Sequence, residues 1–122
     1  MKTPPGGESE YVATERGVWM PIHLARMTRG LMNGWAMYTL IFPRGTTMPY
    51  NYGTVDFYSE AGDVVAPFTE EALREAHPNA TEADLTDMFE RTETSRDIFK
   101  SELWTLLELA GETAASAMSP GP

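Results

Sequence analysis

Cysteine is absent from the 122 residues, which excludes disulfides and thiolate metal sites. Long apolar runs are absent as well: no stretch of about 18 apolar residues reads as a membrane-spanning helix. Basic residues are scarce, with nine Lys and Arg against eighteen Asp and Glu and a net charge of −9. Without a basic stripe there is no surface for a phosphate backbone, so nucleic acid is not an expected partner. Only two histidines occur, His23 and His77. Glu15 and His23 lie about 12 Å apart along a helix of 1.5 Å rise and cannot share one ion, so no metal is expected. There is no Gly-x-Ser-x-Gly elbow and no glycine-rich phosphate cradle after a strand, and no cofactor is expected. Met1–Gly7 lacks an apolar signal core. The chain as written therefore reads as cytoplasmic, or as secreted or periplasmic if residues precede Met1.

What is present suits one soluble domain: 42% hydrophobic and 22% charged residues in a chain long enough to bury a modest core. The acidity is uneven. Residues 1–58 carry five basic and four acidic side chains, whereas residues 59–122 carry four and fourteen. The acidic half reads as solvated helix surface or as a docking face for a basic partner.

Residues 1–7 read as a loop or strand remnant, because Pro4-Pro5-Gly6-Gly7 propagates neither helix nor central strand. A helix capped near Ser9 should follow. Tyr11, Val12, Val18, Trp19, Ile22 and Ala25 share one half of its wheel. Pro21 should kink it, with Gly17 four residues earlier easing the clash. Gly30 suits a left-handed stop. Residues 35–42 and 50–58 alternate as strands and read as an antiparallel pair. Tyr38 and Ala36 share one face of the first, and Val55 and Phe57 one face of the second. Phe68, Thr69 and Leu73 mark a short helix ending near His77, ahead of Pro78. Thr81 with Asp84 resembles a weaker form of the capping box. From Leu85 the helical spacing continues through Phe99, Leu103, Leu106 and Leu107 toward Gly111. The tail over 111–122 is small and polar enough to be disordered.

The concentration of chemistry lies in the first helix. Glu15, Trp19 and His23 stand at i, i+4 and i+8 and stack along one side. Arg26 extends the row, and Tyr38, Asp56 or Tyr58 would face it from the strands. Two readings stand side by side. One is a small-molecule pocket between helix and sheet, with Trp19 as a flat wall and His23 as a base. The other is a polar network that fixes the helix on the sheet. Two strands alone are marginal, and a hairpin apolar on both faces needs a second body. The simplest is a homodimer through the sheet face.

One pattern carries a resemblance: Tyr11-x-x-x-Glu15-x-x-x-Trp19-x-Pro21-x-His23, then Gly30, Gly34-Trp35, Tyr38, Phe42-Pro43, Gly45 and Tyr50-x-Tyr52-x-Thr54-Val55. Arg96-Asp97 and Ser101-Glu102-Leu103-Trp104 extend it to cover roughly residues 8–107. It resembles a group of uncharacterised bacterial ferredoxin-like domain proteins of the dimeric α+β barrel superfamily. That superfamily is broadly similar to antibiotic-biosynthesis-monooxygenase-like and NIPSNAP-like domains. The resemblance implies an α+β fold over residues 8–110: a ferredoxin-like antiparallel sheet with helices on one face, here lacking part of its first and last strands. The resemblance names no ligand; the homodimer is expected from the uncovered sheet face, and a small apolar or aromatic ligand from the flat wall of Trp19. The function expected is a ligand-binding or accessory domain. A cofactor-independent monooxygenase or isomerase using His23 is the alternative, and a purely structural interaction domain a third.

Overall fold

A computed structural model describes residues 1–66 and 68–111. Helix α1 spans Glu8–Thr14, a π-helical turn spans Glu15–Trp19, and α2 spans Met20–Thr28. The three run on as one helical segment. Its entry differs from expectation: Gly7, not Ser9, occupies the cap, and no side chain caps the first turn. Pro21 has no N–H to donate to the residue four back. The helix widens just ahead of it, and the Met20 N–H bonds to the Glu15 carbonyl, five residues back. Where a kink at Pro21 is expected, the structure has a π turn that the wheel pattern did not show. At the far end Gly30 adopts φ 71°, its N–H bonds to the Met27 carbonyl, and the Leu31 N–H bonds to that of Arg26. This is a Schellman closure, which needs a residue free to enter the left-handed region.

Strands β1 (Gly34–Thr39) and β2 (Tyr52–Phe57) pair antiparallel, with Trp35 opposite Asp56, Met37 opposite Thr54 and Thr39 opposite Tyr52. That set faces the first helical segment: the Tyr11 and Tyr52 rings lie 4.5 Å apart, and those of His23 and Trp35 5.5 Å apart. The other set comprises Gly34, Ala36 and Tyr38 opposite Phe57, Val55 and Gly53. It carries no charge, and Tyr38, Val55 and Phe57 are exposed. The first residues lie between β2 and the end of the last helix. The Met1 carbonyl accepts from the Asn51 and Tyr52 N–H groups, and Lys2 forms an antiparallel bridge with Asp97.

Helix α3 (Glu70–Ala76) starts at Thr69, whose hydroxyl accepts from the Ala72 N–H, and packs on α2. Helix α4 (Glu82–Ser95) starts with the capping box of Thr81 and Asp84 and packs on α1. The core is small: Tyr11, Val18, Ile22, Ala25, Met32 and Ala72 are buried. The fold is thus α+β, with helices against one side of a two-stranded antiparallel sheet.

The last helix is shorter than its sequence pattern. It stops at Ser95, and Arg96 is fully extended at φ −163° and ψ 160°. Residues 98–111 form neither helix nor strand. Leu103, Leu106, Leu107 and Trp104 stand exposed, Trp104 at 80% and Leu107 at 93%. The reason is physical: an amphipathic helix of this length is marginal in water and forms only where its apolar stripe is covered. Among the described residues nothing covers this stripe, and Trp104 packs against none of them as a core anchor. Apart from Gly111, the tail expected over 111–122 lies outside the described residues.

Candidate functional site

The π turn and α2 carry Glu15, Trp19 and His23 into the space between the first helical segment and the sheet. Together with Trp35, Thr54 and Asp56 from the strands, Phe68 and Arg96, they line a pocket of about 160 Å³. Its walls are largely aromatic. The Trp19 ring lies 6.1 Å from His23, 5.6 Å from Phe68 and 6.0 Å from Phe89. Its indole N–H donates to the Thr92 hydroxyl at 2.7 Å, and Thr92 in turn donates to the Met88 carbonyl. This chain fixes the indole against α4. On the opposite side His23 stacks on Trp35 at an interplanar angle of 29°.

Two of the titratable groups here are buried, whereas Asp56 at the rim is exposed. Glu15 is 2% exposed and His23 6%. The Arg96 guanidinium reaches the Glu15 carboxylate, with Nη2 to Oε1 at 2.9 Å. No N–H is aligned along that contact, so Oε1 has an ion-pair partner and no hydrogen-bond donor among the described residues. His23 Nδ1 is likewise buried without a partner among them. Burial raises the Glu15 carboxyl above its ordinary value; Arg96 opposes the shift and Asp56 adds to it. Burial holds the His23 imidazole below its ordinary value, Asp56 pulling it up and Arg26 pushing it further down. At neutral pH His23 is therefore an uncharged imidazole able to accept a proton.

Arg26 extends the row as expected but stands behind the pocket. Its guanidinium is held between the rings of Phe68 and Tyr58, 4.7 Å and 5.7 Å from their centroids. It donates to the Tyr58 hydroxyl at 3.4 Å, and that hydroxyl donates to Asp56 at 3.4 Å. Tyr58 thus links Arg26 to Asp56 without lining the cavity. Tyr38 is a correction. It pairs with Gly53 and lies on the outer face of the hairpin, because neighbouring strand residues alternate and Asp56 belongs to the inner set. Tyr38 and Asp56 cannot both face the helix. Trp35 takes the place assigned to Tyr38.

Trp35, Thr54, Phe68 and Arg96 were not picked out as site residues from the sequence. For Trp35 and Thr54 the signal was present: they share the alternation that places Asp56 inward. For Arg96 the signal was indirect, since a carboxylate on a buried helix face calls for a cation somewhere in the fold. A larger depression, about 360 Å³, lies between α3 and α4 around His77 and Asp87. His77 there is bound through Nε2 to the Val18 carbonyl at 3.0 Å, a structural contact.

No protein-family profile matches this chain, and no curated protein or solved structure does.

Proposed function

We propose that this chain is a small-molecule-binding domain that takes a single apolar or aromatic ring in the pocket beside Trp19. We further propose that it is ferredoxin-like and works as a homodimer through the outer face of the hairpin. One observation carries the binding reading: two buried polar atoms, Glu15 Oε1 and His23 Nδ1, lack aligned partners and belong to side chains of the same cavity. Buried polar atoms are nearly always hydrogen-bonded. Thr14 Oγ1 and Arg26 Nε also lack partners among the described residues, away from the cavity, but only the Glu15 and His23 atoms belong to side chains that line it, where a donating or accepting ligand group would satisfy them. A cavity of about 150 Å³ holds one benzene-sized ring, which sets the ligand's scale. Indole walls suit a flat ring. The ferredoxin-like reading is supported by the position of Met1–Thr3 between β2 and Asp97, which is where a first strand would sit between a third and a fourth.

A second reading is favoured by the state of His23. A neutral imidazole beside Asp56 is equipped to take a proton from a ring hydroxyl or an acidic C–H, leaving an imidazolium and a substrate anion next to Arg96. That is the first step expected of a cofactor-independent monooxygenase- or isomerase-like enzyme.

The chain has three tryptophans, Trp19, Trp35 and Trp104, so three indole N–H signals report on the site and on a remote control. Titration of the nitrogen-15-labelled chain with phenol, benzoate and benzylamine should give saturable shifts at Trp19 and Trp35, with Trp104 unmoved, for at least one probe. If all three probes leave Trp19 and Trp35 in place, and His23→Ala lowers only the melting temperature, the row is a structural network and the binding reading fails.

A further inference from the structure

The segment after α4 and the outer face of the hairpin are both apolar, both uncovered, and on one chain. Leu103, Trp104, Leu106, Leu107 and Leu109 are 60–93% exposed. Residues 98–111 make no backbone hydrogen bond among the described residues, and the Lys100–Glu102 ion pair holds only the segment's own surface. The segment leaves the body at a fixed point: Asp97 is bridged to Lys2, and the Phe99 ring packs 5.6 Å from Tyr50 just ahead of β2. The outer face presents Ala36, Tyr38, Val55 and Phe57 with no charge among them.

We infer that residues 98–109 form an exchanged arm: in a homodimer, each copy's arm lies on the outer hairpin face of the other copy, with Trp104 as its anchor. This rests on the homodimer proposed above and adds what builds its interface. Three observations name a second copy as the occupant. The described residues of the single chain leave both surfaces bare and do not join them. A two-fold operation covers both at once, arm on face and face under arm, which is the self-complementarity that a closed dimer requires. The area also fits. At about 60–120 Å² of apolar surface per large side chain, five arm side chains from each copy and the surfaces they cover amount to roughly 1,200–2,400 Å². A stable interface buries about 1,200–2,000 Å². Local charge at the contact is slight, since the face is neutral and the arm between 98 and 109 carries only Lys100, Glu102 and Glu108, so the opposing charge is the overall −9 of each chain, which salt screens. The helical spacing of Phe99, Leu103, Leu106 and Leu107 then has a use: the arm gathers these side chains on one side when a surface is there to receive them.

The test exploits the absence of cysteine. One set of chains carries Thr105→Cys and another Ala36→Cys; they are mixed at tens of micromolar and treated with a short bis-maleimide. In parallel, light scattering gives the dimer dissociation constant of the intact chain and of Leu103→Ser/Trp104→Ser/Leu107→Ser, whose changes fall on exposed side chains. The expected result is an adduct between Thr105→Cys and Ala36→Cys chains, with dimerisation of the triple variant weakened at least 30-fold or so. A monomeric intact chain overturns both the arm and the dimer. A dimer whose strength the triple variant leaves unchanged, with no adduct between chains, overturns the arm and leaves the dimer standing. An adduct that forms only inside a chain carrying both cysteines shows that the arm folds back on its own hairpin and also overturns the exchange.

Discussion

At the residue scale the site sets two buried groups against each other in their response to acid. His23 is held below its ordinary value by burial, so the native state resists protonating it. Its contribution to stability is present above the unfolded value of about 6.5 and is lost as pH falls through the lower folded value. Glu15 is shifted the other way. The folded state favours its protonated form, so stability that is absent at neutral pH returns as pH falls toward the raised value. Two variants separate the effects. Between pH 7.5 and 5.5 the melting temperature of His23→Gln should fall less than that of the parent chain. At lower pH, approaching the ordinary glutamate value of about 4.5, that of Glu15→Gln should fall more than the parent's, because the compensating gain is gone. Thermal melts across these two pH ranges check this, and identical slopes in all three chains would show that neither group is shifted by the fold.

The same scale shows why part of the site was legible and part was not. Glu15, Trp19 and His23 were readable because helical neighbours four apart share a side, and all three reach the cavity even across the π turn. Asp56 was readable as a strand position on the face opposite Val55. Tyr38 was misplaced because its own alternation was set against no register; only the pairing of Tyr38 with Gly53 and Trp35 with Asp56 decides which face meets the helix. Arg96 was not legible at all by spacing, since 81 residues separate it from Glu15 and no local pattern spans such a distance.

At the element scale, signals in side-chain chemistry survived best. Gly30 closes its helix in the left-handed region, Thr69 caps α3, and Thr81 and Asp84 cap α4, each by a hydrogen bond that depends on neighbours in sequence. Periodicity without a partner survived worst. The stripe from Leu85 to Leu107 has one spacing, yet only the part up to Ser95 stays helical, and beyond the Phe99–Tyr50 contact its large side chains stand exposed. The π turn has a local cause in Pro21, and Gly17 within it is a testable point. A methyl group added at Gly17 would meet nothing within 4 Å. Gly17→Ala should therefore raise stability by about 0.5–1 kcal/mol through reduced backbone freedom of the unfolded chain. Urea denaturation measures it, and a loss of stability would mean that the wide turn depends on glycine.

At the scale of the whole molecule, one helical segment covers the inner face of a two-stranded sheet while the outer face, apolar and without charge, is left to water in the single chain. Two strands with one bare apolar face are marginal by themselves, and exposed apolar patches of this kind mark association surfaces. The net charge of −9 on each chain opposes close approach of two copies, so added salt should strengthen rather than weaken their association. Sedimentation equilibrium of the intact chain at micromolar concentration, in low and in moderate salt, tests the whole arrangement most directly. A mass of twice 13.6 kDa, held more tightly in salt, is the predicted result. A mass of 13.6 kDa at every concentration, with Tyr38, Val55 and Phe57 facing solvent, would contradict it.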